Sequence, residues 1–495
     1  MYTGKSKTLW LKFNFMLKKN KKYRKWTLFQ IIMFFILLNI KQKVKYQNLK
    51  GKREEMIMKL NKITAVLLAG AMCTGLLAGC AAKGDNKKKE SNDKITIRLL
   101  TRMAGTTPQV KIYNDIIGKF KEKHPEVTIL DDSQGDESAF NNILSTDIAS
   151  GTMANIFRIQ GVANLSEYID NGLILNVQPY LDKDKEWGGG FTEGALSYYH
   201  VPKKEGTYGI PMESGLIGVY YNKELFQKAG IAKFPETWTQ LLEAVRKLKD
   251  SGVIPIAMGT QSTYMAGHLH DQIFYKWLGT EAAKKLGSRE MKWTDPEVVK
   301  SLQFIKDLIE AGAFDKNAAG MTDNIAMTQF QQGEAAMVVT GPWNIGTFEN
   351  QKETPVSENI EVAKFPYFEE KPEFKDEDMQ ILSPYMLSGK LEGKELDLTL
   401  ELVKMLTDKD AAKRFAEEAA FLIPRTDIKL DNGAKSKLFT QNVELGATSK
   451  GIGVDVFDFD PLASMQDRTR NSIASMFTGE TAEHAAKEIQ SEIKK

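Results

Sequence analysis

The 495 residues carry a formal net charge of +3, with 26% charged side chains, 42% hydrophobic ones and two cysteines. The charge is uneven: residues 1–79 hold 17 basic and 2 acidic side chains, whereas the 416 residues from Cys80 onward hold 50 and 62, a net −12. An acidic body offers no electrostatic footprint for nucleic acid, two cysteines at positions 73 and 80 leave none downstream for a disulfide or a thiolate-held metal, and the length predicts two domains.

The chain begins with a very basic stretch that contains the apolar run Trp26 to Ile40. Arg53-Glu54-Glu55 can be encoded as the purine-rich AGG-GAG-GAA, a ribosome-binding site just ahead of Met58. Residues 1–57 are therefore expected to be upstream DNA read as protein, the other reading being an N-terminal extension. Met58-Lys59-Leu60-Asn61-Lys62 is short and basic, and Ile63 to Leu77 is small, apolar and uncharged. That run is too short to span a bilayer, which takes ~20 apolar residues, and it has the form of a secretory signal over residues 58–79. Residues 80–93, with Lys87-Lys88-Lys89, are too polar to bury a core and predict a flexible tether.

From Lys94 the pattern changes. "KITIRLL" predicts a strand over 94–100. Ile112, Ile116, Ile117 and Phe120 then recur at helical spacing up to Pro125. A second strand is predicted over 127–130, a helix ending at Gly151 and a third strand over 155–161. This alternation predicts an open, mainly parallel sheet. Ligands on such sheets bind beyond the carboxyl ends of the strands, where Asp136, Glu137 and Gln160 fall. Thr237 is placed to cap a helix that buries Trp238 and Leu241 and stops at Gly252, and residues 254–259 predict a strand that opens a second α/β unit. Helices close the chain.

Four stretches together resemble the extracellular solute-binding proteins of bacterial ABC importers, in the sugar-binding family that includes maltose-binding protein. They are "YGIPMESGLIGVYYNKELFQKAGI" (Tyr208 to Ile231), "PETWTQLLEAVRKLK", "FQQGEAAMVVTGPWNIG" (Phe330 to Gly346) and "MFTGETAEHAAKEIQSEI". Leu77-Ala78-Gly79-Cys80 separately resembles the lipobox of bacterial lipoproteins, whose cysteine is acylated and becomes the first residue. The resemblance implies a type II periplasmic-binding-protein-like fold of two α/β lobes, a hinge of several crossings and a ligand cleft between the lobes. Crossings are expected near Ile210, Phe365 and Leu406. They would divide the chain into 94–210 with 365–405 and 211–364 with 406–495. The implied protein is a monomeric receptor, lipid-anchored through Cys80 outside the cell membrane. It would hand a sugar or oligosaccharide to permease subunits of an ABC transporter, with no cofactor, metal or catalysis of its own. Lys- and Ile-rich usage suggests a Gram-positive source, with the anchor in the outer leaflet.

Within that frame Trp343 is the first candidate contact. Gly341 and Pro342 hold it at a turn, and the matching family residue stacks on the sugar. Glu213, beside the first crossing, can accept from hydroxyls by charge-assisted bonds. Asp136, Glu137 and Gln160 are candidates from the first lobe, Tyr264 and Asp460 from the second. Two other readings compete: a binding protein for a polyamine, glycerophosphodiester or peptide, and a secreted carbohydrate-active enzyme using a carboxylate pair. No motif marks such a pair. His268 and His270 would share a face only on a strand and carry no second pair for a metal.

Overall fold

In the computed structural model, residues 95–163, 165–431 and 436–493 are described. The lipobox expected at Cys80, the expected signal over 58–79 and the expected tether over 80–93 lie outside the described residues. Strands β1 (Thr96–Leu100), β2 (Thr128–Asp131) and β3 (Ile156–Phe157) run parallel, with β1 in the middle. Both faces of this sheet are covered. Ile97 and Leu99 pack into one core with Val110, Tyr113 and Phe120, while Leu100 and Phe157 pack into another with Phe140 and Leu165. Burial on both faces is why the carboxyl half of β1 and all of β3 are apolar, whereas β2, at the edge, is largely exposed.

The helix Pro108–Lys123 starts on a proline, which loses nothing at a first turn, and ends at His124. Helix Glu137–Ser150 is capped by Asp136 and stopped by Gly151 at φ 65°. The third strand is much shorter than the seven residues expected. After Phe157 the chain leaves the sheet, and Gly161 turns it at φ 86°.

Two long strands carry the chain between lobes. β4 (Ile210–Leu216) lies antiparallel to β9 (Glu377–Leu387). The far end of β9 pairs with β3, and its near end pairs with β10 (Gly451–Gly453). The β4–β9 register slips by one residue between Pro211 and Glu213. Such a bulge re-aims side chains, and Met212 and Glu213 both face the cleft. Pro211 lies opposite Pro384, so neither residue donates an N–H to the ladder at that point.

The second lobe holds a sheet of β5 (Gly218–Asn222), β6 (Ile254–Ile256), β7 (Ala335–Thr340) and β8 (Ile360–Ala363), in the order β6-β7-β5-β8. Helix Trp238–Asp250 begins at the expected cap, Thr237, whose bond is made reciprocal by Gln240, and it buries Trp238, Leu241, Ala244, Val245 and Leu248. Among the described residues no helix is long and apolar enough to cross a membrane.

Two of the expected crossing points move. Phe365 is buried in the core of the second lobe, where Tyr367 bonds to Glu236 and Phe368 packs on Trp238 and Phe304. The chain therefore returns along β9, not at Phe365. Leu406 lies in helix Gly393–Thr407 and in the first-lobe core. That helix leads through the cap of Asp408 into Lys409–Ala419, whose Phe415 packs in the same core. The last passage falls between Ile423, still in the first-lobe core, and Leu438, in the second. Ile210 stands at the first residue of β4.

Candidate functional site

A cavity of ≈ 600 Å³ opens between the lobes, within the range of small-molecule sites. Its first-lobe wall comes from the carboxyl ends of β1 and β3 and from the start of helix Glu137–Ser150. Its floor is the β4–β9 pair, and its far wall belongs to the second lobe.

The far wall is aromatic. Tyr264 and His268 are four residues apart on helix Tyr264–Leu278, so they share a face. Their rings lie 5.3 Å apart at 65°. Trp343 completes the group at 5.9 Å from His268 and 6.4 Å from Tyr264. Trp343 sits in the 3-10 turn Pro342–Asn344 and packs against the cores of both lobes. Its ring folds back over Gly341, where a Cβ would come within 1.9 Å of it. Gln109 of the first lobe donates to the Trp343 carbonyl at 3.0 Å.

Glu213 is 4% exposed, and its Oε1 has no hydrogen-bond partner. Burial pushes its carboxyl up, against the pull of Arg158. An unpaired buried acceptor is costly, and a solute hydroxyl would relieve it. Gln160 is already engaged: it accepts from Arg158 at 2.9 Å and donates to the Leu382 carbonyl at 3.3 Å. Asp136 spends one oxygen on the Ala139 N–H, at 2.8 Å, as a helix cap. Glu137 is buried and pairs across the cleft with Arg470 at 2.9 Å, and Arg470 also holds Asp455 at 3.1 Å.

Asp460 does not line the cavity. It forms a two-pronged pair with Arg289, 2.8 Å for one arm, and accepts the Leu462 N–H. The turn Val456–Phe459 brings Asp455 and Asp458 to the interlobe side and leaves Asp460 facing Arg289. Asp458 accepts from Tyr198 of the first lobe at 2.7 Å. Burial, then the nearby Asp455, raises Asp458 well above the carboxylate range. Burial works the same way on Asp455, but Arg470 and His268 hold it below its ordinary value.

Arg102, Arg158, Arg470, Asp323 and Asp455 also line the cavity and were not singled out from sequence. Arg102 and Arg158 each follow the end of a strand, the same position that pointed to Gln160. His268, for which a metal site had little support in the sequence and a polar surface or cleft hydrogen bond more, lies in the cavity wall. It is buried against Trp343, and burial pushes it down to about 4, so it is neutral at physiological pH. His270 points the other way, into the core against Ser301 and Trp293.

The architecture is that of the type II periplasmic binding proteins. It superposes on a solved chitin oligosaccharide binding protein with a TM-score of 0.72 at 22% identity, over 81% of this chain and 98% of that one. Among curated sequences, a multiple sugar-binding protein of Streptococcus mutans is 25% identical over 306 residues, 59% of this chain and 68% of its own. The sn-glycerol-3-phosphate-binding periplasmic protein of Rhizobium meliloti is 32% identical over 197 residues, 37% of this chain and 43% of its own. The chain spans about half the length of several curated relatives it matches, 47% for binding proteins of Brucella abortus and Brucella suis. The family profile described as bacterial extracellular solute-binding protein matches residues 104–416. On that match the chain belongs to the bacterial extracellular solute-binding protein family.

Proposed function

We propose that this protein is a lipid-anchored receptor that captures a sugar or oligosaccharide between its lobes and delivers it, unchanged, to the permease subunits of an ABC transporter. The observation that carries the sugar reading is the aromatic wall of Trp343, Tyr264 and His268 facing polar groups across a ≈ 600 Å³ cavity. A sugar ring presents C–H groups to an aromatic plane and hydroxyls to polar partners, so one wall of each kind suits it. Trp343 is the stacking residue in this reading. Glu213 is the hydroxyl acceptor, Tyr264 borders the same ring, and Gln160 and Asp136 position their neighbours. The names of the Streptococcus mutans and chitin oligosaccharide relatives favour the same class. That of the Rhizobium meliloti relative keeps a phosphate-bearing solute as the second reading.

The β4–β9 pair, with Pro211 against Pro384, is the proposed hinge. Closure would be a population shift driven by contacts that both lobes make only together. Cys80 would carry the lipid, which places the body on the outer leaflet of the cell membrane as a monomer.

A thermal unfolding screen of residues 81–495 against mono- and oligosaccharides, polyamines and glycerophosphodiesters tests this. A solute bound only by the folded state, at ~100 times its Kd, adds ~2.7 kcal/mol. A sugar should raise the midpoint and Trp343→Ala should abolish the rise. A response confined to a cation or a phosphodiester would overturn the sugar reading.

A further inference from the structure

Six of the arginines in the described chain sit within salt-bridge distance of a carboxylate: Arg98, Arg289, Arg414, Arg425, Arg468 and Arg470. Among the described residues, Arg102 and Arg158 lack such a partner although neither is exposed, and both line the cavity. They come from adjacent strands. β1 and β3 pair with Leu100 opposite Phe157, and Arg158 directly follows Phe157 while Arg102 stands two residues beyond Leu100. Two arginines therefore line the cavity from the carboxyl edge of a parallel sheet, where solutes of such sheets bind.

Each guanidinium has five N–H donors, and the protein uses few of them. Arg102 gives one to the Gly135 carbonyl at 2.7 Å, and its buried Nε has no partner. Arg158 gives one to Gln160 at 2.9 Å. The other acids of the wall are already occupied. Asp136 caps a helix, Glu137 and Asp455 hold Arg470, Asp323 accepts from Ser262 at 2.8 Å and Glu353 accepts from Asn350 at 3.1 Å. Glu213 alone can offset the two cations, and it lies beyond ion-pair distance from either. Burial works against the Arg158 cation, Glu213 supports it and Arg102 opposes it again.

We propose that the solute carries an oxyanion, a carboxylate on a sugar ring, that seats against Arg102 and Arg158 at the ends of β1 and β3. This rests on the sugar reading and narrows it to acidic saccharides, with uronate-bearing oligomers as the class. The sugar ring would lie on Trp343 and its acid would bridge the two guanidinium groups in the forked geometry arginine favours.

The test is calorimetric titration of the folded body with matched neutral and acidic di- to tetrasaccharides, galactose against galacturonate and glucose against glucuronate oligomers. Glycerol 3-phosphate and inorganic phosphate serve as sugar-free oxyanions. The acidic saccharides should bind tenfold or more tighter than their neutral partners, with affinity falling as salt rises. Arg158→Gln should weaken the acidic ligand roughly 10- to 100-fold, the scale of a lost charge-assisted bond, and leave a neutral one within about threefold. Arg158→Lys, which keeps the charge and loses the fork, should fall between, and equal melting midpoints exclude misfolding. Neutral saccharides binding as tightly as acidic ones overturn the oxyanion site and leave the sugar reading standing. Glycerol 3-phosphate or phosphate binding without any saccharide supports the oxyanion site and overturns the sugar reading. An Arg158→Gln protein that loses both classes equally also overturns the site.

Discussion

Glu137 and Arg470 meet 2.9 Å apart, both almost fully buried, one on each lobe. The same guanidinium holds Asp455 at 3.1 Å and lies over the Phe457 ring. Removing one partner of such a group strands the other charge without water. Arg470→Met is expected to cost about 3–5 kcal/mol, whereas Glu137→Gln leaves the Asp455 pair intact and should cost much less. Urea unfolding measures both. Equal losses in the two variants would mean that Asp455 does not share the cation.

Tyr198 donates to Asp458 across the lobes at 2.7 Å, and neither residue lines the cavity. Tyr198→Phe removes one neutral-donor hydrogen bond, about 1 kcal/mol. The loss falls on closure and not on solute contacts, so every solute should bind about fivefold more weakly. Titration with two chemically different solutes checks this. Unequal factors would place Tyr198 in recognition itself.

At Gly341 the backbone is extended, with φ −102°, so an alanine there is conformationally easy. The obstacle is the Trp343 ring, 1.9 Å from where the Cβ would sit. Gly341→Ala should keep the fold and swing the indole off its seat. Expected are a shift in tryptophan emission and about tenfold weaker solute binding. Unchanged emission with unchanged affinity would show that the ring tolerates the displacement.

His268 and His270 are buried in the neutral form, held down to about 4 and about 3 by loss of solvation. Their folded values lie below the ordinary 6.5, so the unfolded chain takes up protons first as pH falls. Stability is complete above pH ~6.5 and is lost toward pH 4, at about 2 kcal/mol per histidine by pH 5. Urea unfolding at pH 7 and pH 5 reads the difference. His270→Gln should flatten the acid limb by about half. A curve level from pH 7 to 5 would contradict the burial of both rings.

Local features were legible in the sequence. The cap at Thr237 and the inward Trp238 and Leu241 behind it mark helix Trp238–Asp250, and "TGPW" announces the turn that presents Trp343. Asp460 was misplaced because its partner, Arg289, is 171 residues away. The passages expected at Phe365 and Leu406 missed for a similar reason: which core receives a side chain is decided by distant segments. Arg102 and Arg158 obey the strand-end rule that found Gln160, but arginine is exposed in most proteins, so the residue type carries no local sign of burial.

The second core is assembled from both ends of its own span. Val219 and Tyr220 share it with Ala485 and Ile489, which lie in the last helix, Ala482–Glu492. The lobe therefore stays unfinished until Ile489 has been made, some 270 residues after Val219. Folding of this lobe is thus coupled to a helix far from its first strand, and cutting off Ala482–Glu492 should deny the lobe a folded state altogether.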